Sequence, residues 1–87
     1  MHAVVVRVTI NDTESAENHL RNEVVPRASQ SPGFVTGYWT RKDNDGLSLI
    51  VFESEEQARA LSERIPTMVP ESVTFVDAEV REVAASA

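Results

Sequence analysis

Apolar and polar side chains alternate at both ends of the chain. Residues 2–10 place three valines on one face, and they place Arg7 and Thr9 on the other. A period of two with β-branched residues predicts a strand. Residues 73–83 alternate in the same way and predict the last strand, followed by a short frayed end.

Two further strands are predicted in the middle of the chain. Residues 34–42 and 47–53 are rich in aromatic and aliphatic side chains. The four residues between them read Asp-Asn-Asp-Gly, which is typical of a hairpin because these residues tolerate positive φ. We therefore expect the two strands to pair in antiparallel orientation.

The segment after the first strand has the spacing of a helix. A core stripe recurs at every fourth position, at Ala16, Leu20, Val24 and Ala28. Asn11 and Glu14 have the spacing of a capping box, so a helix cap is the preferred role for Asn11 over the orientation of a substrate. Pro26 is expected to kink or end this helix near Val25.

A second helix is predicted over residues 54–65. Ser54 and Gln57 form its capping box, and Pro66 is expected to stop it. Its core positions recur at spacings of three and four, at Ala58, Leu61 and Ile65.

This order of elements predicts one α+β domain over residues 1–87. It is the order of a ferredoxin-like βαββαβ sandwich with a four-stranded antiparallel sheet and both helices on one face. The other face of the sheet is polar in a typical monomer, yet large apolar residues remain on it whichever face the helices take. We therefore expect a homodimer that forms through the sheet face.

Composition narrows the class of protein further. The 87 residues include no cysteine, which excludes disulfides and thiolate metal sites. A domain this small has a marginal core, so a partner subunit would add to its stability. The net charge is −6 with scattered basic residues, so we expect no nucleic-acid binding. No run of 18 apolar residues and no signal-like start is present, so we expect a cytoplasmic protein outside the membrane.

Three runs carry a resemblance to a known family. They are residues 24–26 (Val-Val-Pro), residues 31–39 (Ser-Pro-Gly-Phe-Val-Thr-Gly-Tyr-Trp) and residues 47–56 (Leu-Ser-Leu-Ile-Val-Phe-Glu-Ser-Glu-Glu). In them the chain resembles antibiotic-biosynthesis-monooxygenase-like domains of the dimeric α+β barrel superfamily, over nearly its whole length. The resemblance implies two sheets that form a barrel around a cleft.

Members of that superfamily include cofactor-free quinol-type monooxygenases, haem-degrading enzymes, decarboxylases, isomerases and ligand-sensing domains. Fold likeness does not choose among these functions. Haem-degrading relatives use an Asn, a Trp and a His of the second helix. Here residues 54–65 contain no His, and Trp39 lies earlier than the tryptophan of those relatives, which argues against haem degradation.

Four residues are the candidates for a ligand cleft, namely Arg7, Thr9, Tyr38 and Trp39. Trp39 either stacks on a flat aromatic substrate or packs in the core or a dimer interface. Arg7 either holds an anionic or phenolate oxygen or forms an ion pair with Asp77 or Glu79 on the last strand.

We expect no metal and no cofactor. His19 and Glu23 lie one helical turn apart, but two ligands are too few for a metal site, so a solvated helix face is the preferred interpretation. The Asp-Asn-Asp-Gly turn lacks the ligand offsets of a calcium loop.

Three functional hypotheses remain, and the first is implied by the resemblance. One is cofactor-independent monooxygenation of an aromatic or quinol-type molecule, in which the substrate itself activates oxygen and the protein supplies shape, desolvation and oxyanion contacts. The alternative is a non-catalytic homodimer that binds a small hydrophobic ligand or has a structural role. A sensing module ranks last, since the chain has no DNA-binding segment.

Overall fold

A computed structural model describes residues 1–87 and has a four-stranded antiparallel sheet covered by helices on one face. In chain order the elements are β1 (His2–Ile10), α1 (Thr13–His19), a π-helical turn (Leu20–Val24), α2 (Val25–Ser29), β2 (Phe34–Lys42), β3 (Asp45–Phe52), α3 (Glu55–Met68) and β4 (Val73–Glu82). The strand order β2-β3-β1-β4 is compatible with a ferredoxin-like fold. The predicted α+β class and antiparallel sheet are confirmed.

The register of the strands defines two faces of the sheet. Val6 lies opposite Ser48 of β3 and Ala78 of β4, and Ser48 lies opposite Trp39 of β2. Directly paired residues point to the same side of a sheet. We call this side, which carries Val6 and Trp39, the helix-covered face, and the side that carries Val5 the open face.

The hydrophobic core lies between the helix-covered face and α3. Its buried cluster consists of Val4, Val6, Ile50, Phe52, Ala58 and Leu61. Phe34 packs its ring edge against Phe52, with the two ring centroids 6.3 Å apart. Only 11 of the 87 residues are buried, so the core of a single chain is small.

The helix α3 begins where the sequence predicts and ends later. The Ser54 side chain accepts a hydrogen bond from the Gln57 backbone N–H at 3.2 Å, as expected for an N-cap. The prediction that Pro66 stops this helix is wrong, because the helix continues to Met68. Pro66 is exposed and lies in the last turn, so the helix loses only one backbone hydrogen bond near its end.

The first helix is capped by Asp12, whose side chain accepts from the Ser15 backbone N–H at 3.1 Å. The prediction that Asn11 caps it is wrong. The Asn11 backbone N–H donates to the Ser72 carbonyl at 2.7 Å, so Asn11 extends the pairing of β1 with the chain at β4 and the helix starts one residue later. The Asn11 side chain donates instead to the Glu71 carbonyl at 3.3 Å and to Thr74 Oγ1 at 3.0 Å.

The interruption expected near Val25 takes the form of a π turn. The Val25 N–H donates to the carbonyl of Leu20, five residues earlier, in place of the four-residue step of an α-helix. A proline ring clashes with the carbonyl four positions before it, which for Pro26 belongs to Asn22. The wider turn before Pro26 relieves this clash, and the helix resumes as α2.

The predicted hairpin between β2 and β3 is present and tighter than expected. The strand β3 begins at Asp45, so the turn is only Asp43 and Asn44, with Asp43 at φ 53°. Gly33, at φ 80°, makes the turn before β2, where a side chain would overlap the amide of Gln57.

None of the helices has both the length and the apolar character that a membrane crossing requires.

Candidate functional site

A cavity of about 180 Å³ lies between the helix-covered face and the segment Thr13–Ser29. We call this segment, which comprises α1, the π turn and α2, the first helical arm. Of the 20 residues that line the cavity, 13 are hydrophobic, so it is suited to an apolar occupant. For comparison, an apolar cavity of about 150 Å³ holds one benzene molecule.

The cavity exists because small side chains face each other across it. All four residues of the predicted core stripe, at positions 16, 20, 24 and 28, do face the sheet, but only Ala28 is buried. Ala16 and Ala28 lie above the cavity, and Ser48 lies on the strand below it. Their combined volume is too small to fill the space between the two layers.

Trp39 forms one wall of the cavity and packs against the core cluster. Its six-membered ring lies over Gly37, where an added Cβ would be only 2.7 Å from the ring atom Cη2. The lack of a side chain at residue 37 therefore makes room for the indole ring in this position. A flat, partly exposed indole surface at a cavity wall is suited to stacking on another ring.

Polar side chains of the first helical arm surround the cavity. His19, Glu23 and Arg27 recur every four residues, beside the apolar stripe, and all three line the cavity. Glu23 Oε2 lies 3.1 Å from the Arg27 guanidinium. The interpretation of His19 and Glu23 as a solvated helix face is therefore incomplete, although no group of three or more His, Asp or Glu residues is positioned to hold a metal ion.

The remaining wall comes from the last two turns of α3 and the loop that follows. Ile65 and Met68 line the cavity together with Val69 and Pro70, and Arg64 adds a guanidinium to this wall. The side chain of Asn11 holds this loop through its hydrogen bond to the Glu71 carbonyl. Asn11 thus positions one wall of the cavity without lining it.

The four sequence-predicted cleft residues lie on two different faces. Trp39 lines the cavity, whereas Arg7, Thr9 and Tyr38 lie on the open face. Tyr38 is 62% exposed, and the Arg7 guanidinium lies 3.7 Å from an oxygen of Asp77, the partner named by the ion-pair alternative. A ligand-binding role for these three stays a prediction, and it requires a second chain over the open face.

Sequence reasoning missed the location of the cavity and the residues at its rim. The four-residue spacing of His19, Glu23 and Arg27 was a usable signal, since it runs parallel to the apolar stripe. No comparable signal exists for Arg64, because its position depends on how α3 packs beside the first helical arm.

Neither the known protein families nor the curated proteins offer a match to this chain.

Proposed function

We propose that this chain binds a small, flat, mostly apolar molecule between the first helical arm and the sheet. The observation that carries the proposal is the cavity of about 180 Å³ with the Trp39 ring as one wall. The π turn at Leu20–Val24 supports it, because single π turns inside helices are frequent at functional sites.

An unfilled cavity of this size is costly for a domain with so small a core. At roughly 24 cal/mol per Å³, a closed empty cavity of this volume would cost about 4 kcal/mol. The cavity here is open at its rim, so this value is an upper bound. A total stability of about 5–15 kcal/mol is typical of a small domain. Retention of such a space is therefore better explained by an occupant than by loose packing.

The test is calorimetric titration with toluene, p-cresol and 1-naphthol. We expect at least one of them to bind with a millimolar or lower dissociation constant. Leu20→Trp, which fills the cavity from the π turn, should abolish binding, while Leu49→Trp on the open face should not. No binding by any of the three, or equal loss in both variants, would contradict the proposal.

A second candidate is cofactor-independent oxygenation of an electron-rich aromatic in the same cavity. The specific observation is that His19 shares the cavity with Trp39, since a neutral imidazole is the usual acceptor of a substrate proton. The resemblance to monooxygenase-like domains also favours it. The deprotonated ring would react with oxygen at a carbon that bears hydrogen. One oxygen atom would be retained as a carbonyl and the other released as water.

Oxygen uptake with a panel of quinols tests this candidate. His19→Gln should slow turnover by about 100-fold or more, and Trp39→Phe should weaken substrate binding. Arg7→Ala, on the opposite face of the sheet, should leave the rate unchanged. Absence of uptake across the panel favours a binding protein without catalysis.

We further propose that two chains pair through their open faces, as in a dimeric α+β barrel. Tyr38, Leu47 and Leu49 are 62, 45 and 41% exposed there and lie side by side in the register. A folded monomer of 9.6 kDa exposes about 5,100 Å², whereas this chain exposes 5728 Å². The excess of about 600 Å² approaches the roughly 800 Å² that one partner buries in a standard interface.

Light scattering tests the dimer directly. The purified chain should have twice its sequence mass, and Leu49→Arg should convert it to a monomer, because a charge there is buried without a partner. Ala60→Arg on the outer surface of α3 is the matched control and should remain dimeric. A monomeric wild-type protein at micromolar concentration would contradict this proposal.

The lack of cysteine supports, in addition, a reducing compartment such as the cytoplasm.

A further inference from the structure

Five of the eight cationic side chains of this acidic chain form ion pairs. Five of the seven arginines lie within 4.0 Å of a carboxylate, and these are Arg7, Arg27, Arg41, Arg59 and Arg81. The exceptions are Arg21, Lys42 and Arg64. Of these three, only Arg64 lines the cavity.

Arg64 at this cavity is unpaired although carboxylates outnumber the cationic side chains of the chain. The chain carries 14 acidic residues against 8 basic ones. The one carboxylate that lines the cavity, Glu23, is already bound by Arg27 at 3.1 Å. The cavity therefore has apolar walls and a single guanidinium without a protein partner.

The position of Arg64 on α3 fits a head group at the rim. It lies three residues after Leu61 and four before Met68, both of which line the cavity, so it belongs to the same helix face. An arginine in this setting packs its aliphatic part on the apolar wall and keeps its guanidinium at the water boundary. The guanidinium fork matches the two oxygens of a carboxylate.

We infer that the ligand of this cavity is an aryl or aliphatic carboxylic acid, with its apolar body against Trp39 and its carboxylate on Arg64. This inference rests on the proposed binding function and names the chemical class of the ligand. The cavity volume limits the buried body to about one aromatic ring, on the scale of about 150 Å³ for benzene. His19 at the same rim offers a second hydrogen-bond partner for the head group.

The test compares 3-phenylpropanoate with the uncharged 3-phenylpropanamide by calorimetric titration. The wild-type protein should bind the acid about tenfold more tightly than the amide, as expected for one hydrogen-bonded charge pair at a partly exposed site. Arg64→Gln should remove this preference and leave the affinity for the amide unchanged. Arg21→Gln removes the same charge away from the cavity and should keep the preference.

The outcomes separate the two proposals. If both compounds bind with equal affinity to the wild type, or if Arg64→Gln keeps the preference for the acid, the carboxylate inference is overturned while the binding function stands. If neither compound binds while toluene, p-cresol or 1-naphthol does, the carboxylate inference alone is overturned; if none of the five binds, the binding function fails as well. Equal loss of preference in Arg21→Gln would assign the effect to net charge and also overturn the role of Arg64.

Discussion

The two helical segments cover the same face of the sheet in different ways. The helix α3 is one regular helix of 14 residues that buries Ala58 and Leu61 in the core. The first helical arm is broken by a π turn, buries only Ala28 and leaves a cavity beneath it. Both segments start with a side-chain cap, so the difference lies in the residues that face the sheet.

This difference assigns most of the stability to one half of the molecule and leaves the other half for the binding that we propose. Packing of α3 on β1 and β3 provides most of the small core. The first helical arm contributes few buried groups, which is the condition under which a segment opens locally at low cost in free energy. A ligand that enters under this arm would therefore gain access without unfolding the core.

The largest expected contrast is between two leucine truncations, one in each half. Leu61→Ala should lower the free energy of unfolding by about 2–4 kcal/mol, because it removes a buried side chain from the core. Leu20→Ala should lower it by less than about 1 kcal/mol, because Leu20, unlike Leu61, is only partly buried. Urea unfolding of both variants measures this, and equal losses would break the comparison.

The two N-caps provide a contrast of intermediate size. Ser54→Ala should lower the global free energy of unfolding by about 1 kcal/mol. Asp12→Ala removes an equivalent hydrogen bond from α1, but we expect its effect mainly as faster amide exchange over residues 13–19. Hydrogen exchange and urea unfolding together measure the two effects. A global loss that is larger for Asp12→Ala than for Ser54→Ala would contradict the assignment of stability to α3.

The smallest expected effect on stability is that of Gly37→Ala. A Cβ there must displace the Trp39 ring, since it would lie 2.7 Å from Cη2. The gain from replacing glycine within a strand, about 0.5–1 kcal/mol, should offset much of this strain. We expect a changed tryptophan emission and weaker p-cresol binding with almost unchanged stability. In a Trp39→Phe background the same substitution should have a smaller effect on binding, and an unchanged effect would show that residue 37 does not act through the indole.

The strands were predictable because their signals are local. Alternation fixes β1 and β2, and the Asp-Asn-Asp-Gly turn fixes the hairpin to within two residues. The start of the first helix was misplaced by one residue. Its position depends on the backbone hydrogen bond from Asn11 to Ser72, which is 61 positions away in the sequence and leaves no local pattern.

The site was less predictable than the fold because a cavity is a property of two packed layers. The apolar stripe of the first helical arm is identical in sequence terms to a stripe that fills a core. On an α-helix, a side chain four residues further along lies about 40° beyond the previous one around the helix axis. Three such steps lead away from one face, so the regular spacing from Ala16 to Ala28 was a sign of a wider turn. Only the opposed small residues, Ala16, Ala28 and Ser48, reveal that the space between the layers stays open.

Amide chemical-shift mapping with p-cresol tests the location of the binding site most directly. We expect shifts along the first helical arm, at residues 61–70 and at the Trp39 side chain, and none at Tyr38 and Leu49 on the open face. These two groups lie on opposite sides of one sheet, so their responses are separable. Shifts confined to the open face would contradict the central claim that the cavity under the first helical arm is the binding site.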